Sequence, residues 1–279
     1  MANADTDLKN SWAKGSLRDM TRHVQGVTFI GAGGKTTCLR SLTQEIESAG
    51  QQVIATTTTK VFPEEHMNIW KSTEPPVVQD GACFWYVNVE DVSGKWIGPS
   101  VQAVDVAIAS SRTVPDLHAR HWVIEGDGAR GLRLKCWDPH EPQIPLRSNC
   151  AVLVLDRDLW GKVLQPNHVH RSQRCSDLLG RVWNAESAWQ YFLKSPVFDP
   201  RYGNLSWVIF LNSPKGVPES SDPTLNQKFI EADIGPLQEL SQKWVEIPEQ
   251  TDKLKHRPIH LRLAVGDAKE GTIQWCDLW

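Results

Sequence analysis

A lysine preceded by two glycines and followed by two threonines, Gly33-Gly34-Lys35-Thr36-Thr37, has the residue types that phosphate binding needs. With the two residues before it the segment reads Gly31-Ala32-Gly33-Gly34-Lys35-Thr36-Thr37. Glycines let a backbone curl tightly and bring its N–H groups to phosphate oxygens without a Cβ in the way. A helix starting directly after them adds partial positive charge at its N-terminus. Lys35 then reaches the β- and γ-phosphates of ATP or GTP, and the Thr36 hydroxyl takes a place on Mg²⁺. All seven residues are therefore candidate nucleotide contacts.

The eight-residue form of this loop carries a glycine five positions before Gly34, where this chain has Phe29. What remains is the shorter G-x-x-G-K-T form, seen in amide-forming ligases of the cell-wall type. Such sites also need an acid at the end of another strand. Glu125 ends the apolar run 122–125, and Asp127 follows between two glycines that should leave its carboxylate accessible. Either can organise Mg²⁺ or the attacking water, although Asp-Gly is also a common turn pair. Lys35, Glu125 and Asp127 are thus the candidate catalytic residues, with Thr36, Glu125 and Asp127 as candidate metal ligands.

The run Thr56-Thr57-Thr58-Thr59-Lys60 follows another apolar stretch. Thr57 and Thr58 can turn hydroxyls toward the γ-phosphate or Mg²⁺, and Lys60 can add a second positive charge. The β-propensity of threonine equally suits a plain strand end. Arg130 and Arg171 are candidate anion contacts, since guanidinium pairs well with phosphate. His168 and His170 form an H-x-H pair of the kind that binds transition metals, but two surface histidines in a loop are the commoner case.

These residues need a frame. Short runs at 27–30, 53–56, 122–125, 151–155 and 207–211 are rich in Val, Ile, Leu and Trp, as in strands buried on both faces of a parallel sheet. Between them the spacing predicts a helix over 35–49 stopped by Gly50, and another from 101 capped by Ser100. Two short helices are expected at 175–183 and 185–193, and one or two more within 224–244. Residues 84–89 and 95–97 read as an inserted hairpin, and 260–264 with 272–276 as a second one. The expected fold is α/β: a P-loop NTPase-like, mainly parallel sheet flanked by helices, with an inserted β-hairpin. A single domain over 1–279 is expected, with a polar lead-in at 1–22 and a C-terminal extension at 248–279 without a recognised motif.

A net charge of −3, from 30 basic and 33 acidic residues, argues against a nucleic-acid partner bound through bulk positive charge. No apolar run approaches a membrane span, and residues 1–20 lack the core of a secretory signal, so a cytoplasmic protein is expected. The six cysteines are scattered without a CxxC pair and read as buried thiols of a reducing compartment, not as a disulfide or zinc framework. Thirteen tryptophans against three tyrosines are an unusual excess. Trp122 and Trp207 fall in expected strands, Trp183 and Trp189 on the helix pair, and Trp85 and Trp96 on opposite arms of the hairpin. That spread suits packing better than base stacking. Trp137 and Trp160, beside the later motifs, are left as ligand contacts.

Taken in order, VTFIGAGGKTT, VIATTTTK, VIEGDGARGLRLK, HEPQIP and LWGKVL…HVHR resemble the selenium-dependent hydroxylase accessory proteins of the YqeC type, over roughly 27–171. The resemblance implies a P-loop NTPase fold and a part in maturing a selenium-dependent molybdenum hydroxylase, with that enzyme or its maturation machinery as the protein partner. It matches Gly31, Gly33, Gly34, Lys35 and Thr36 to the nucleotide loop and 56–60 to the threonine run. Glu125 and Asp127 match the acid-bearing strand end, and Lys135, His140, Glu141, His170 and Arg171 the later motifs. One departure is mild: Gly126 stands where the family's E-A-D-G-A has alanine. Another bears on the base. Asn212-Ser213-Pro214-Lys215 puts lysine where N-K-x-D, the guanine-reading motif, has its aspartate, so adenine and guanine stay open.

Three functions fit these residues. One is Mg²⁺-dependent nucleotide binding with slow hydrolysis in enzyme maturation. A second is an ATP-dependent ligase or kinase acting on a small carboxylate or cofactor precursor. The third is a non-catalytic nucleotide-dependent chaperone.

Overall fold

The computed structural model describes residues 12–64, 66–77, 81–113, 120–213, 223–247 and 256–279, with the side chains of 223–233 left aside. In chain order the first elements are β1 (Ala13–Gly15), α1 (Leu17–Met20), β2 (Gly26–Gly31), α2 (Lys35–Ser48), β3 (Val53–Thr57), β4 (Lys60–Val61), β5 (Asn68–Lys71) and β6 (Ala82–Tyr86). There follow β7 (Asn88–Val89), β8 (Trp96–Ile97), α3 (Val101–Thr113), β9 (His121–Glu125), β10 (Leu134–Lys135), β11 (Cys150–Asp156) and β12 (Val169–His170). The last are α4 (Ala185–Phe192), β13 (Ser206–Asn212), α5 (Pro223–Glu246), β14 (His260–Asp267) and β15 (Thr272–Asp277).

Ten strands form one sheet in the order β1-β15-β14-β13-β11-β2-β9-β3-β6-β5. The eight from β14 to β5 are all parallel, and β15 and β1 close one edge antiparallel. Its central strands are buried along their whole length, which is why the sequence shows them as continuous apolar runs. Side chains alternate between two cores: Phe29 packs with Leu39, Leu42 and Ile46 of α2 on one face. Ile30 meets the opposite core, which holds Trp183, Trp189 and Trp207. Farther along the same face, α3 covers Trp85 and Trp122. Ser100 does hold α3 at its start, accepting from the Ala103 N–H at 3.1 Å.

Several expectations need correction. Residues 84–86 belong to β6 of the large sheet, so Trp85 is a core residue; the inserted hairpin is β7 with β8, which also pairs β4. Residues 175–183 are not a helix: a 3-10 segment covers Ser172–Leu178, and Cys175 inside it is non-helical. The lead-in holds α1 from 17 to 20, with Leu17 and Met20 buried among the residues of α2; residues 1–11 lie outside the described residues. The C-terminal hairpin expected at 260–264 and 272–276 is present and joins the large sheet, where β14 pairs β13 along seven residues and β15 returns beside it. Residues 248–255 of the extension lie outside the described ones. Terminal strands of this sort carry no local motif, only the alternation and turn that the second hairpin was read from.

Candidate functional site

The chain changes direction across the sheet at β2, with β9 on one side and β11 on the other. Ligands of open α/β sheets collect at such a point, beyond the carboxyl ends of the strands. The loop 31–34 lies there, between β2 and α2, and takes a shape that only glycine accepts readily. Gly31, Gly33 and Gly34 have φ of 94°, 92° and 117°. The Ala32 N–H ties the loop to the Val154 carbonyl at 2.9 Å. Asn212, at the end of β13, spans it from the other side: its amide donates to Gly33 O at 2.8 Å and accepts from the Ala268 N–H at 3.0 Å. This asparagine stands where the guanine-reading motif has its own; in the fold it braces the glycine loop. Pro214 and Lys215 lie outside the described residues.

Glu125 and Asp127 come to the loop by different routes. Parallel pairing of β2 with β9 sets Glu125 opposite Phe29. From there its Oε2 accepts from the Thr36 hydroxyl at 2.8 Å, and Lys35 Nζ stands 3.8 Å from Oε1. Burial pushes the Glu125 carboxyl above its ordinary range, with Lys35 and the Thr36 hydroxyl opposing. Asp127 is not accessible as expected but fully enclosed. Its two oxygens take the Gly31 N–H at 3.1 and 3.0 Å and the Trp137 indole N–H at 2.7 Å. Lys35 is 3.4 Å away and Lys135 3.6 Å. The glycines around it let the chain dive inward instead of presenting the carboxylate. Lys35 itself donates to Gly31 O at 2.7 Å.

A cavity of about 360 Å³ opens in front of the loop. Gly33, Gly34, Lys35, Thr36, Thr37 and Glu125 line one wall, and Lys60, Lys95, Arg130 and Arg133 reach it from others. Arg130 makes no ion pair among the described residues and holds a left-handed φ of 52°, which few non-glycine residues adopt. Arg171 does not come to the loop. It pairs with Glu141 at 2.8 Å and with Asp138. Thr57 and Thr58 use their hydroxyls internally, on the carbonyls of Glu125 at 2.9 Å and Gln143. They shape the strand end beside Glu125. Gly98 seals this corner, since a Cβ there would fall 1.5 Å from Thr57 O.

Sequence reasoning passed over Asp156, which lines the same cavity, 3.5 Å from Arg133. The signal was present: it ends the apolar run 151–155 as Glu125 ends its own. For Lys95 and Arg133 there was none, because their approach is set by tertiary packing. Among the described residues no three His, Cys, Asp or Glu side chains are arranged to hold a metal, and that covers the H-x-H pair. Thr36 and Glu125 offer hard oxygens side by side. Such a pair is what Mg²⁺ typically takes from a protein when phosphates and waters supply the rest.

Behind the site runs a line of alternating charge. Lys135, fully buried, donates to Gly128 O at 2.7 Å and to Glu141 at 3.0 Å. Burial acts to raise the Glu141 carboxyl, but Lys135 and Arg171 outweigh it and hold the group below its ordinary 4.5. A depressed carboxylate contributes its stability fully above the ordinary value and loses it as pH falls through the lowered one. Below pH 4.5 the parent is therefore expected to lose stability more steeply than Glu141→Gln, in urea unfolding repeated across pH. Equal slopes would contradict that assignment.

Sheet, loop and buried acids define a mixed α/β protein with a mainly parallel sheet and a glycine-rich loop at its switch point. The family model described as YqeC protein matches residues 27–173, and the chain belongs to that family. It is similar to the Escherichia coli (strain K12) protein named Uncharacterized protein YqeC, 32% identical over 164 residues. The match takes in 55% of this chain and 60% of that relative's length. No solved structure matches. Among the described residues no helix is long and apolar enough to cross a membrane.

Proposed function

We propose that this chain is a P-loop nucleotide-binding protein that binds ATP or GTP with Mg²⁺ and hydrolyses it slowly. Its role would be that of a maturation factor for a selenium-dependent molybdenum hydroxylase, as its family resemblance implies. The observation that carries the nucleotide reading is the junction at Lys35 and Thr36. The lysine is held over the loop, and the hydroxyl sits on a buried strand-end carboxylate at 2.8 Å. The acid-bearing β9 lies directly beside the loop strand β2, which suits a P-loop fold. A buried carboxylate next to a hydroxyl is a good fit for a divalent cation, which would add positive charge to that of Lys35.

In this reading the amides of 33–36 surround the β-phosphate, and Lys35 leaves Gly31 O to meet the phosphate oxygens. Arg130 swings its free guanidinium toward the γ-phosphate. Mg²⁺, when bound, supplies positive charge to the phosphates near Thr36 and Glu125. Catalysis is then positioning and electrostatic stabilisation of the charge that develops on phosphoryl transfer. Asp127 keeps Gly31 and Lys35 in place and does not touch the nucleotide. A base preference is left to measurement.

The test is Mg²⁺-dependent binding and turnover of ATP and GTP by the purified protein and by Lys35→Ala. Binding by the parent of at least one nucleotide, and its loss in the variant, is expected. If neither nucleotide binds, or the variant binds like the parent, the reading fails. Turnover that appears only on adding a small carboxylate would replace hydrolysis with the ligase reading.

A further inference from the structure

Contrary to the expectation of six thiols, Cys136 and Cys175 are joined as a disulfide across 39 residues. Cys38, Cys83, Cys150 and Cys276 are free. The pairing is thus selective, and its surroundings are unlike those of the free thiols. Both sulfur-bearing residues line a second cavity, of about 240 Å³, together with Trp137, Arg174, Lys194 and Arg201. Burial pushes the Cys83 thiol up to about 11 and those of Cys150 and Cys276 to about 12, which keeps them inert.

We propose that the Cys136–Cys175 pair is a thiol–disulfide exchange site for a small thiol bearing both ammonium and carboxylate groups. Its redox state would be relayed to the loop at Gly31 through Trp137 and Asp127. The charge on the cavity wall sets the class of thiol. On that wall Arg174 pairs with Asp138 at 2.7 Å and Arg201 with Asp199 at 2.8 Å, and Lys194 and Glu141 line it beside them. A zwitterion can exchange partners with such a wall at both ends; a neutral thiol cannot.

Both cysteines are buried, but Cys175 lies in the 3-10 segment between exposed Arg174 and Ser176, whereas Cys136 follows the enclosed Lys135, so exchange begins at Cys175. The incoming thiol, deprotonated, attacks Cys175 Sγ; the S–S bond breaks and Cys136 leaves as thiolate, taking a proton from solvent. A second molecule of the thiol attacks the mixed disulfide, freeing Cys175 and carrying off an external disulfide. Two electrons pass from two thiols to the protein pair.

The relay is short. Cys136 is bonded to Trp137, whose indole donates to Asp127 at 2.7 Å, and Asp127 accepts the Gly31 N–H. Opening the disulfide removes the covalent tie between position 136 and the segment at 172–178, leaving the ion pair of Arg174 with Asp138 at 2.7 Å, and loosens the hold on that indole. What the relay would regulate rests on reading the loop as a nucleotide site, but its existence does not.

The experiment uses the full chain without nucleotide, so failure of the nucleotide reading and failure of this proposal are separable. Under native conditions, reduced glutathione is expected to open the Cys136–Cys175 disulfide faster than 2-mercaptoethanol at the same concentration. Cys136→Ser, given oxidised glutathione, is expected to gain one glutathione, on the peptide holding Cys175. Amide hydrogen exchange at Gly31 should rise on reduction in the parent. In Trp137→Phe it should be high already and no longer respond. Three results would overturn the proposal: a disulfide that resists glutathione until urea is added, equal rates with the two thiols, or Gly31 protection blind to reduction.

Discussion

Replacing Asp127 by asparagine is expected to lower the stability of this chain by about 3–5 kcal/mol, the usual cost of breaking a buried charge pair from one side. That is a large part of the roughly 5–15 kcal/mol by which a domain is stable. The carboxylate is fully enclosed and faces donors only: the Gly31 N–H, the Trp137 indole and two lysines. An asparagine of the same shape has one acceptor and one donor group, so its NH₂ must point at another donor. Lys35 and Lys135 lose their shared counter-charge at the same time, deep in the protein. Urea unfolding reads the loss. Lys135→Met, added to Asp127→Asn, removes a cation whose remaining counter-charge among the described residues is Glu141 alone, so the double variant should lose less than the two single losses combined. If Asp127→Asn unfolds at the parent's urea midpoint, Asp127 is not the strut that the geometry makes it.

The contrast between Asp127 and Glu125 marks how far the sequence could be read. Both were visible as acids after an apolar run, and the loop they serve was visible from its glycines and lysine. Local pattern placed them at a strand end because the periodicity of β9 is local. Which acid faces the cavity and which lies beneath it depends on the turn at 126–129 and on Trp137 arriving from ten residues away. No spacing rule contains that. Asn212 is the same case: its type and its strand end were legible, but its bonds to Gly33 and Ala268 exist only once β13 lies between β11 and β14.

The sheet shows the same division. Strands buried on both faces announce themselves as apolar runs, and all five expected ones are present. The excess of tryptophan was rightly assigned to packing where Trp122, Trp183, Trp189 and Trp207 are concerned. Trp183 is buried as expected, though it lies outside any helix. The disulfide was illegible for another reason. Cys136 and Cys175 lie at the ends of a 39-residue excursion, and only the parallel pairing of β10 with β12 carries one toward the other. Scattered cysteines in a long chain give no hint of such a pairing.

Gly33→Ala is expected to abolish nucleotide binding more completely than Gly34→Ala, although both glycines hold φ values that side chains rarely adopt. The conformational strain is similar for the two, about 1–3 kcal/mol each. What differs is the neighbour. A Cβ on Gly33 would lie 2.5 Å from the Asp156 nitrogen and 2.7 Å from its Cα, at the end of a strand buried along its whole length. Backbone in the middle of a ten-stranded sheet does not yield, so the loop must lift away. A Cβ on Gly34 would meet only the Asn212 side-chain amide, at 2.3 Å, and a side chain can rotate. Lifting the loop scatters the N–H groups that must converge on one phosphate, and each lost tenfold in affinity corresponds to about 1.4 kcal/mol. Gly33→Ala should therefore lose about a hundredfold or more in affinity for the nucleotide that the parent binds, and Gly34→Ala distinctly less. Calorimetric titration with Mg²⁺ present decides it, after circular dichroism has shown that both variants are folded. The reverse order, or equal losses, would mean that the loop's hold on Asp156 does not shape the phosphate site.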